Sequence, residues 1–180
     1  MFHLSNCCHL KYHKVHGFTA IELLVTIAVL AILLTLAAPN LSQFVSSNRL
    51  TSQANSLVGD ILLARSESAT RGTQVVLCTS TTGTGCSSTA GWSDGWIVFS
   101  DTNNNAVVDS GEAILKSSSA LDSASLTEAG SANKLAFRPY GGLNPAASKD
   151  FKLCSTSSST GRQIFLAATG RPRVTKVPCP

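Results

Sequence analysis

The segment that most constrains this chain is the stretch from Gly17 to Pro39, GFTAIELLVTIAVLAILLTLAAP, which follows a short basic leader. Residues 21–38 are almost entirely apolar. The run has about the 20 residues that an α-helix needs to cross a bilayer. One carboxylate, Glu22, lies near its start. A charge at the centre of a membrane helix costs about 2.5–3.5 kcal/mol, so an intramembrane acid indicates a function. The stretch therefore predicts a membrane helix at residues 18–40.

The sequence GFTAIE, from Gly17 to Glu22, resembles the processing site of type IV pilins and type II secretion pseudopilins. The resemblance implies that a prepilin peptidase removes the leader, residues 1–17, and methylates the new N-terminus at Phe18. A carboxylate one helical turn away on a neighbouring subunit, Glu22, can then pair with the new α-amine. A secretory signal peptide is the alternative. The acid within the apolar run and the lack of a clean small-x-small cleavage site disfavour it.

Residues 41–180 predict one small domain of the α+β class. Residues 41–71 continue as an amphipathic helix that stops at Gly72, and short strands follow, so the helix is expected to pack on an antiparallel sheet. The helix stripe predicted to face the core comprises Leu50, Ala54, Leu57, Val58, Ile61 and Leu62. The predicted strands are 73–79, 96–100, 113–116, 134–139, 151–154, 163–168 and 173–177.

The cysteines predict two disulfides. Two of the six lie in the leader, and an even number in an exported domain favours pairing of the remaining four. We favour Cys78–Cys86, across a Ser/Thr/Gly loop, and Cys154–Cys179, which would hold the C-terminal segment. A zinc site is disfavoured because no pair has CxxC spacing and all four histidines precede the cleavage site. The sequence predicts neither a metal nor another cofactor.

Charge is distributed unevenly along the domain. Residues 85–130 contain six acids and one base, whereas residues 131–180 contain eight bases and one acid. This asymmetry predicts an acidic middle and a basic C-terminal face.

The acidic part includes a 12-residue loop, Asp101–Glu112, with side-chain oxygens at positions 1, 3, 5, 9 and 12 of an EF-hand-like spacing. Position 6 is Ala106, where an EF-hand has glycine, and the flanks predict strands. A hairpin turn whose Asn and Asp side chains bond to their own backbone is therefore favoured over calcium binding, which stays the alternative.

The basic part includes the sequence TGRPRVTK at residues 169–176. Arg171 and Arg173 flank a proline, and residues i and i+2 of an extended segment point to the same side. A guanidinium can donate two hydrogen bonds to one phosphate, so this arrangement predicts a phosphate-binding surface. A solvated surface cluster without a ligand is the alternative. The predicted binding residues are Gly170, Arg171, Arg173, Lys176 and, as an extension of the patch, Arg162.

Four features together resemble the FimT/GspH-type minor pilins: the pilin N-terminus, the strand around Trp96, the sequence FRPYG at 137–141 and the GRPR at 170–173. The similarity covers nearly the whole chain after the leader. It implies a type IV pilin-like fold with a single pass through the inner membrane. The head would lie in the periplasm and become extracellular in the pilus. FimT-like members carry a C-terminal GRxR segment and bind DNA during natural transformation, whereas GspH-like members belong to the pseudopilus of type II secretion.

We therefore predict a non-enzymatic minor pilin that binds double-stranded DNA without sequence specificity for uptake. The chain has no evident nucleophile–base pair, and no histidine follows Gly17. Its expected partners are DNA, other pilins, prepilin peptidase and the inner membrane. The alternative is a structural pseudopilin of a type II secretion system or a subunit that primes pilus assembly.

Overall fold

The computed structural model describes residues 17–155 and 158–179, with the side chains of residues 36–40 excepted. The chain divides into two compact units, Met1–Asn40 and Leu41–Pro180. Apart from Gly17, the predicted leader lies outside the described residues. Helix α1 spans Ala20–Arg71. At its start, Glu22 accepts hydrogen bonds from the Thr19 backbone N–H (2.8 Å) and hydroxyl (3.0 Å), which satisfy donors that helix geometry leaves free.

Among the described residues, no helix has the length and mean hydropathy needed to cross a membrane. The membrane crossing of residues 18–40 stays a prediction.

The second unit places the C-terminal part of α1 against two antiparallel sheets, so the α+β prediction is confirmed. The described strands are β1 Gln74–Thr79, β2 Gly95–Asp101, β3 Ile114–Ser119, β4 Ala124–Glu128, β5 Lys134–Phe137, β6 Leu143–Asn144, β7 Lys149–Ser155, β8 Thr160–Leu166 and β9 Pro172–Pro178. They run in the orders β3-β2-β1-β5-β6 in the first sheet and β4-β7-β8-β9 in the second. All seven predicted strands are present with shifted ends. The sequence analysis did not predict β4, whose residues are mostly polar and small, or β6, which has two residues.

One face of α1 is buried against the sheets. The spacing of its buried side chains alternates between four and three residues, as expected for a single helical face. The prediction that Leu62 belongs to this face is wrong, because that side chain is 44% exposed. Each helical residue turns about 100° from the previous one, which carries Leu62 off the line through Ile61. The buried helix residues are Leu50, Ala54, Leu57, Ile61 and Ala64, with Val58 partly buried.

Two buried polar side chains also join α1 to the sheets. Asp60 accepts hydrogen bonds from the Trp96 indole N–H (2.8 Å) and the Ser118 hydroxyl (2.7 Å) of the first sheet. Arg162 of the second sheet donates to the Thr51 hydroxyl on the helix at 2.9 Å. Buried polar groups of this kind require partners, so these contacts fix how the helix lies on each sheet.

The structure contains both disulfides that the sequence predicts. Cys78–Cys86 links β1 to the following loop with a Cα–Cα distance of 5.6 Å. Cys154–Cys179 links β7 to the residue after β9 with a Cα–Cα distance of 5.8 Å. A Cβ atom at Gly161 would overlap the sulfur of Cys179, so only glycine fits beside this second bridge. The bridge therefore holds the end of β9 in place.

Candidate functional site

The GRPR segment contains the end of the turn between β8 and β9 and the first two residues of β9. The Ala167 N–H donates to the Arg171 carbonyl (3.0 Å), and the Gly170 N–H donates to the Ala167 carbonyl (2.8 Å). Gly170 has a φ of +76°, and a Cβ atom there would overlap the carbonyl oxygen of Gly141. Glycine is therefore required by both conformation and space. Its role is to let this turn pack closely on a second one.

The second turn connects β5 to β6 and carries Arg138 and Tyr140. The Arg138 N–H donates to the Gly142 carbonyl at 2.8 Å, which closes the turn. The Leu143 N–H donates to the Ala168 carbonyl at 2.9 Å, which joins this turn to the first one. The sequence FRPYG is thus placed beside GRPR, although the two segments are far apart in the chain.

Three arginines meet where these turns approach the helix. Arg65 from α1, Arg138 and Arg171 line one cavity of about 510 Å³ together with Tyr140, and we call this the arginine cavity. No acidic side chain is among the residues that line it. The remaining lining residues are Gly142, Leu143, Ala146, Ala168 and Thr169.

None of these three arginines forms an ion pair with another described residue. Arg138 donates to the Tyr140 hydroxyl (3.0 Å) and to the Asn144 amide oxygen (3.2 Å), both of which are neutral. Arg65 donates to the Gly141 carbonyl at 3.3 Å. The ion pairs among the described residues involve other cations, namely Arg49–Asp122, Arg71–Glu67 and Lys149–Glu128. The cavity can therefore accept an anion without first breaking a salt bridge.

Arg173 lies on the outer face of the second sheet and is not among the residues lining the arginine cavity. It pairs in register with Phe165, and its guanidinium carbon is 6.0 Å from the centre of that ring, within the range of a cation–π contact. Arg171 therefore lines the arginine cavity, whereas Arg173 does not. The cause is that Arg171 belongs to the turn, whereas Arg173 belongs to the regular strand.

Lys176 is exposed but lies on the opposite face of β9 from Arg173. Lys176 is three positions after Arg173 along an extended strand, and it pairs in register with the inward-facing Arg162. The register therefore places Lys176 on the other face of β9 from Arg173, and its part in binding stays a prediction.

The prediction that Arg162 extends the basic surface is wrong. This side chain is buried, with 7% of its surface exposed. Its guanidinium donates to the Thr51 hydroxyl (2.9 Å), the Ser47 hydroxyl (3.2 Å) and the Gly161 carbonyl (3.1 Å). Sequence spacing alone could not show this, because it depends on which face of β8 the helix covers.

The acidic loop Asp101–Glu112 is a hairpin connection between β2 and β3, as the sequence analysis favours. Asp101 is fully buried and accepts hydrogen bonds from the Gln74 side-chain amide (2.7 Å) and from the backbone N–H groups of Ala106 (2.9 Å) and Asn105 (3.2 Å). Ala106 has a φ of +56°, a conformation that usually favours glycine. No group of three or more His, Cys, Asp or Glu side chains in the described ranges is arranged to hold a metal ion.

The other two carboxylates of this loop, Asp109 and Glu112, are also hydrogen-bonded within it. The side-chain amides of Asn103 and then Asn105 donate to Asp109 and lower the pKa of its carboxyl group. Burial raises the pKa of Glu112, but bonds from the N–H groups of Thr102 and Asp109 together outweigh it and leave that pKa below its usual value. The loop thus satisfies its own negative charges.

Sequence comparison finds two family matches. The model described as "Type II transport protein GspH" matches residues 53–170. The model described as "Prokaryotic N-terminal methylation motif" matches residues 12–38. A search of curated protein sequences returned no significant match.

Structure comparison finds the type IV minor pilin FimU of Pseudomonas aeruginosa strain PAO1 in two crystal forms. One has a TM-score of 0.57 and 21% identity, covering 73% of this chain and 92% of that chain. The other has a TM-score of 0.54 and 20% identity, covering 69% and 91%. This structural similarity confirms the predicted type IV pilin-like fold.

Proposed function

The chain belongs to the GspH family, and on that premise we propose that it is a minor type IV pilin whose head binds double-stranded DNA during uptake. One observation carries the DNA part of the proposal. Arg65, Arg138 and Arg171 line a single cavity, and no carboxylate is among the residues that line it. Arg173, two residues after Arg171, is exposed on β9. The phosphate backbone is a ligand that supplies several anionic oxygens to such a group of guanidiniums.

The expected mode of binding is contact with phosphates. The arginines lie on turns, on one strand and at one helix position, and the described part of the chain presents no helix that would enter a major groove. Contacts to phosphate carry no sequence information, so affinity is expected to be similar for any duplex. A single head should bind weakly, at about micromolar Kd, and more weakly as salt increases.

The N-terminal segment supports assembly into a filament. Its match to the N-terminal methylation motif supports a membrane-anchored chain that later becomes part of a pilus. The large apolar side chains between Ile21 and Leu34 are all at least 50% exposed in the isolated chain, so they need cover from lipid or from neighbouring pilins. We infer that prepilin peptidase cuts between Gly17 and Phe18. Lipid or other pilins would then cover the apolar surface, and the chain would have a structural and binding role without catalysis.

A structural pseudopilin of a type II secretion system is the second candidate. The observation that favours it is the printed description of the family that matches residues 53–170. Deletion of the gene separates the two proposals. Loss of transformation with intact protein secretion supports DNA uptake, whereas loss of secretion supports the pseudopilin.

The direct test is a gel shift of plasmid DNA by the full chain in uncharged detergent. Replacing Arg171 and Arg173 together by Gln should weaken binding by more than about tenfold, because both remove phosphate contacts. The matched control replaces Lys116 and Lys134 by Gln, which removes the same charge from the first sheet and should leave the shift nearly unchanged. Equal binding by both double variants would exclude Arg171 and Arg173 as the DNA-binding site. Absence of a shift by the parent at low salt would favour the pseudopilin.

A further inference from the structure

The arginine cavity contains an aromatic ring that phosphate binding does not require. Tyr140 is 71% exposed although it is held in a defined position. Its hydroxyl accepts a hydrogen bond from Arg138 at 3.0 Å. One edge of the ring lies against Gly142, where an added Cβ atom would be 3.5 Å from the ring. A single exposed aromatic residue is unremarkable in itself, so its surroundings decide its interpretation.

Tyr140 and Arg65 also line a second cavity, of about 580 Å³, on the helix side of the turn. Tyr140 therefore lines two open spaces, each within the size range of small-ligand sites. The wall of the second space includes Leu62, the helix residue that is exposed where the sequence predicts burial.

We propose that the arginine cavity binds a single-stranded segment of DNA, with one base stacked on Tyr140 and the adjacent phosphates held by Arg65, Arg138 and Arg171. The inference rests on the proposed function in that the ligand is DNA. A fixed aromatic ring next to cationic side chains is the arrangement by which proteins bind single strands without sequence preference. Bases within a duplex are already stacked on their neighbours and cannot cover the ring. The arginines therefore serve either form of DNA, whereas Tyr140 serves only an unpaired base.

The test measures fluorescence anisotropy of labelled poly(dT) and of a duplex of equal length with the full chain in uncharged detergent. Tyr140→Ala should weaken poly(dT) binding by about tenfold and change duplex binding by less than about threefold, because only the single strand loses stacking. Tyr140→Phe keeps the ring and loses the bond to Arg138, so it should bind poly(dT) nearly as the parent does. Melting temperatures of the variants verify folding, which an exposed side chain should hardly affect.

Several results would overturn this inference while leaving the proposed function intact. They are duplex binding without poly(dT) binding, equal losses on both ligands in Tyr140→Ala, or no loss on either. Competition by inorganic polyphosphate that is as strong as competition by poly(dT) would also overturn it, because it would mean a site for phosphate alone. If the parent binds neither DNA, the proposed function fails together with the inference.

Discussion

The acidic loop Asp101–Glu112 and the arginine cavity both concentrate one sign of charge, but the structure satisfies the two in opposite ways. In the loop, backbone N–H groups and amide side chains of the same region donate to the carboxylates. In the cavity, the partners to which Arg65 and Arg138 donate among the described residues are neutral oxygens. A cation would have to displace existing donors from the loop, whereas an anion entering the cavity displaces no carboxylate. Hydrogen-bond satisfaction, more than charge count, indicates which region is available for a ligand.

The largest expected effect comes from removing the disulfide that holds the basic side of the molecule. Replacing Cys154 and Cys179 by Ser should lower the free energy of unfolding by about 3.5 kcal/mol on the chain-entropy model. DNA affinity should also fall, because the end of β9 is no longer fixed. Replacing Cys78 and Cys86 should cost about 2.5 kcal/mol and leave DNA binding unchanged. Urea unfolding and gel shifts measure both. An equal loss of DNA affinity on removal of either disulfide would contradict a specific role of Cys154–Cys179 in holding the DNA-binding side.

The next largest effect tests the acidic side. Asp101→Ala leaves the donors of Gln74, Asn105 and Ala106 without their buried acceptor and should cost about 3 kcal/mol of stability. DNA binding well below the melting temperature should not change. The control is Asp122→Ala, since the surface pair of Asp122 with Arg49 should contribute less than about 1 kcal/mol. The fluorescence of the two buried tryptophans follows unfolding of both variants. A similar loss of stability in Asp101→Ala and Asp122→Ala would exclude the structural role given to Asp101.

A smaller effect concerns pH. The pKa values of Asp109 and Glu112 are lowered by folding, from ordinary values of 3.8 and 4.5. The ionised carboxylates therefore stabilise the folded state above these values, and that contribution is lost as pH falls through the folded-state pKa. The Asp109→Asn/Glu112→Gln variant should melt below the parent at neutral pH, and the gap should close in acid. A difference in melting temperature that widens as pH falls would contradict the lowered pKa values of Asp109 and Glu112. DNA binding at neutral pH should be unaffected.

A still smaller effect is expected from calcium. Because the oxygens of Asp101, Asp109 and Glu112 already accept hydrogen bonds, millimolar calcium should leave the melting temperature unchanged. A rise with calcium that is absent in Glu112→Gln would mean that the loop rearranges into a cation site, as in the EF-hand-like alternative.

The smallest effect is expected from Lys176→Gln. Since Lys176 lies on the opposite face of β9, its loss should weaken duplex binding less than the loss of Arg173 does. Anisotropy with one duplex at constant salt compares the two variants directly. A larger effect of Lys176→Gln would show that DNA contacts the other face.

The sequence predicted the architecture better than the site. Helical periodicity, β-branched runs and an even number of cysteines sufficed for α1, seven strands and both disulfides. Alternation along β8 and β9 indicated on which side each residue lies relative to its neighbours, but could not show that α1 covers the face of β8 that carries Arg162. Nor could it bring Arg65 and Arg138 to Arg171, because the packing of two turns on the helix is a long-range property. The one local signal was the resemblance of FRPYG to a family motif, which contains Arg138 and Tyr140.

The central claim is that the unpaired arginines bind phosphate, and the salt dependence of duplex binding tests it most directly. If Arg65, Arg138, Arg171 and Arg173 each neutralise one phosphate, the slope of log K against log salt should be about −3.6. Arg171→Gln and Arg173→Gln should each reduce the magnitude of that slope by about one, whereas Lys116→Gln should leave it unchanged. A slope near zero for the parent, or the same slope in all three variants as in the parent, would contradict the claim.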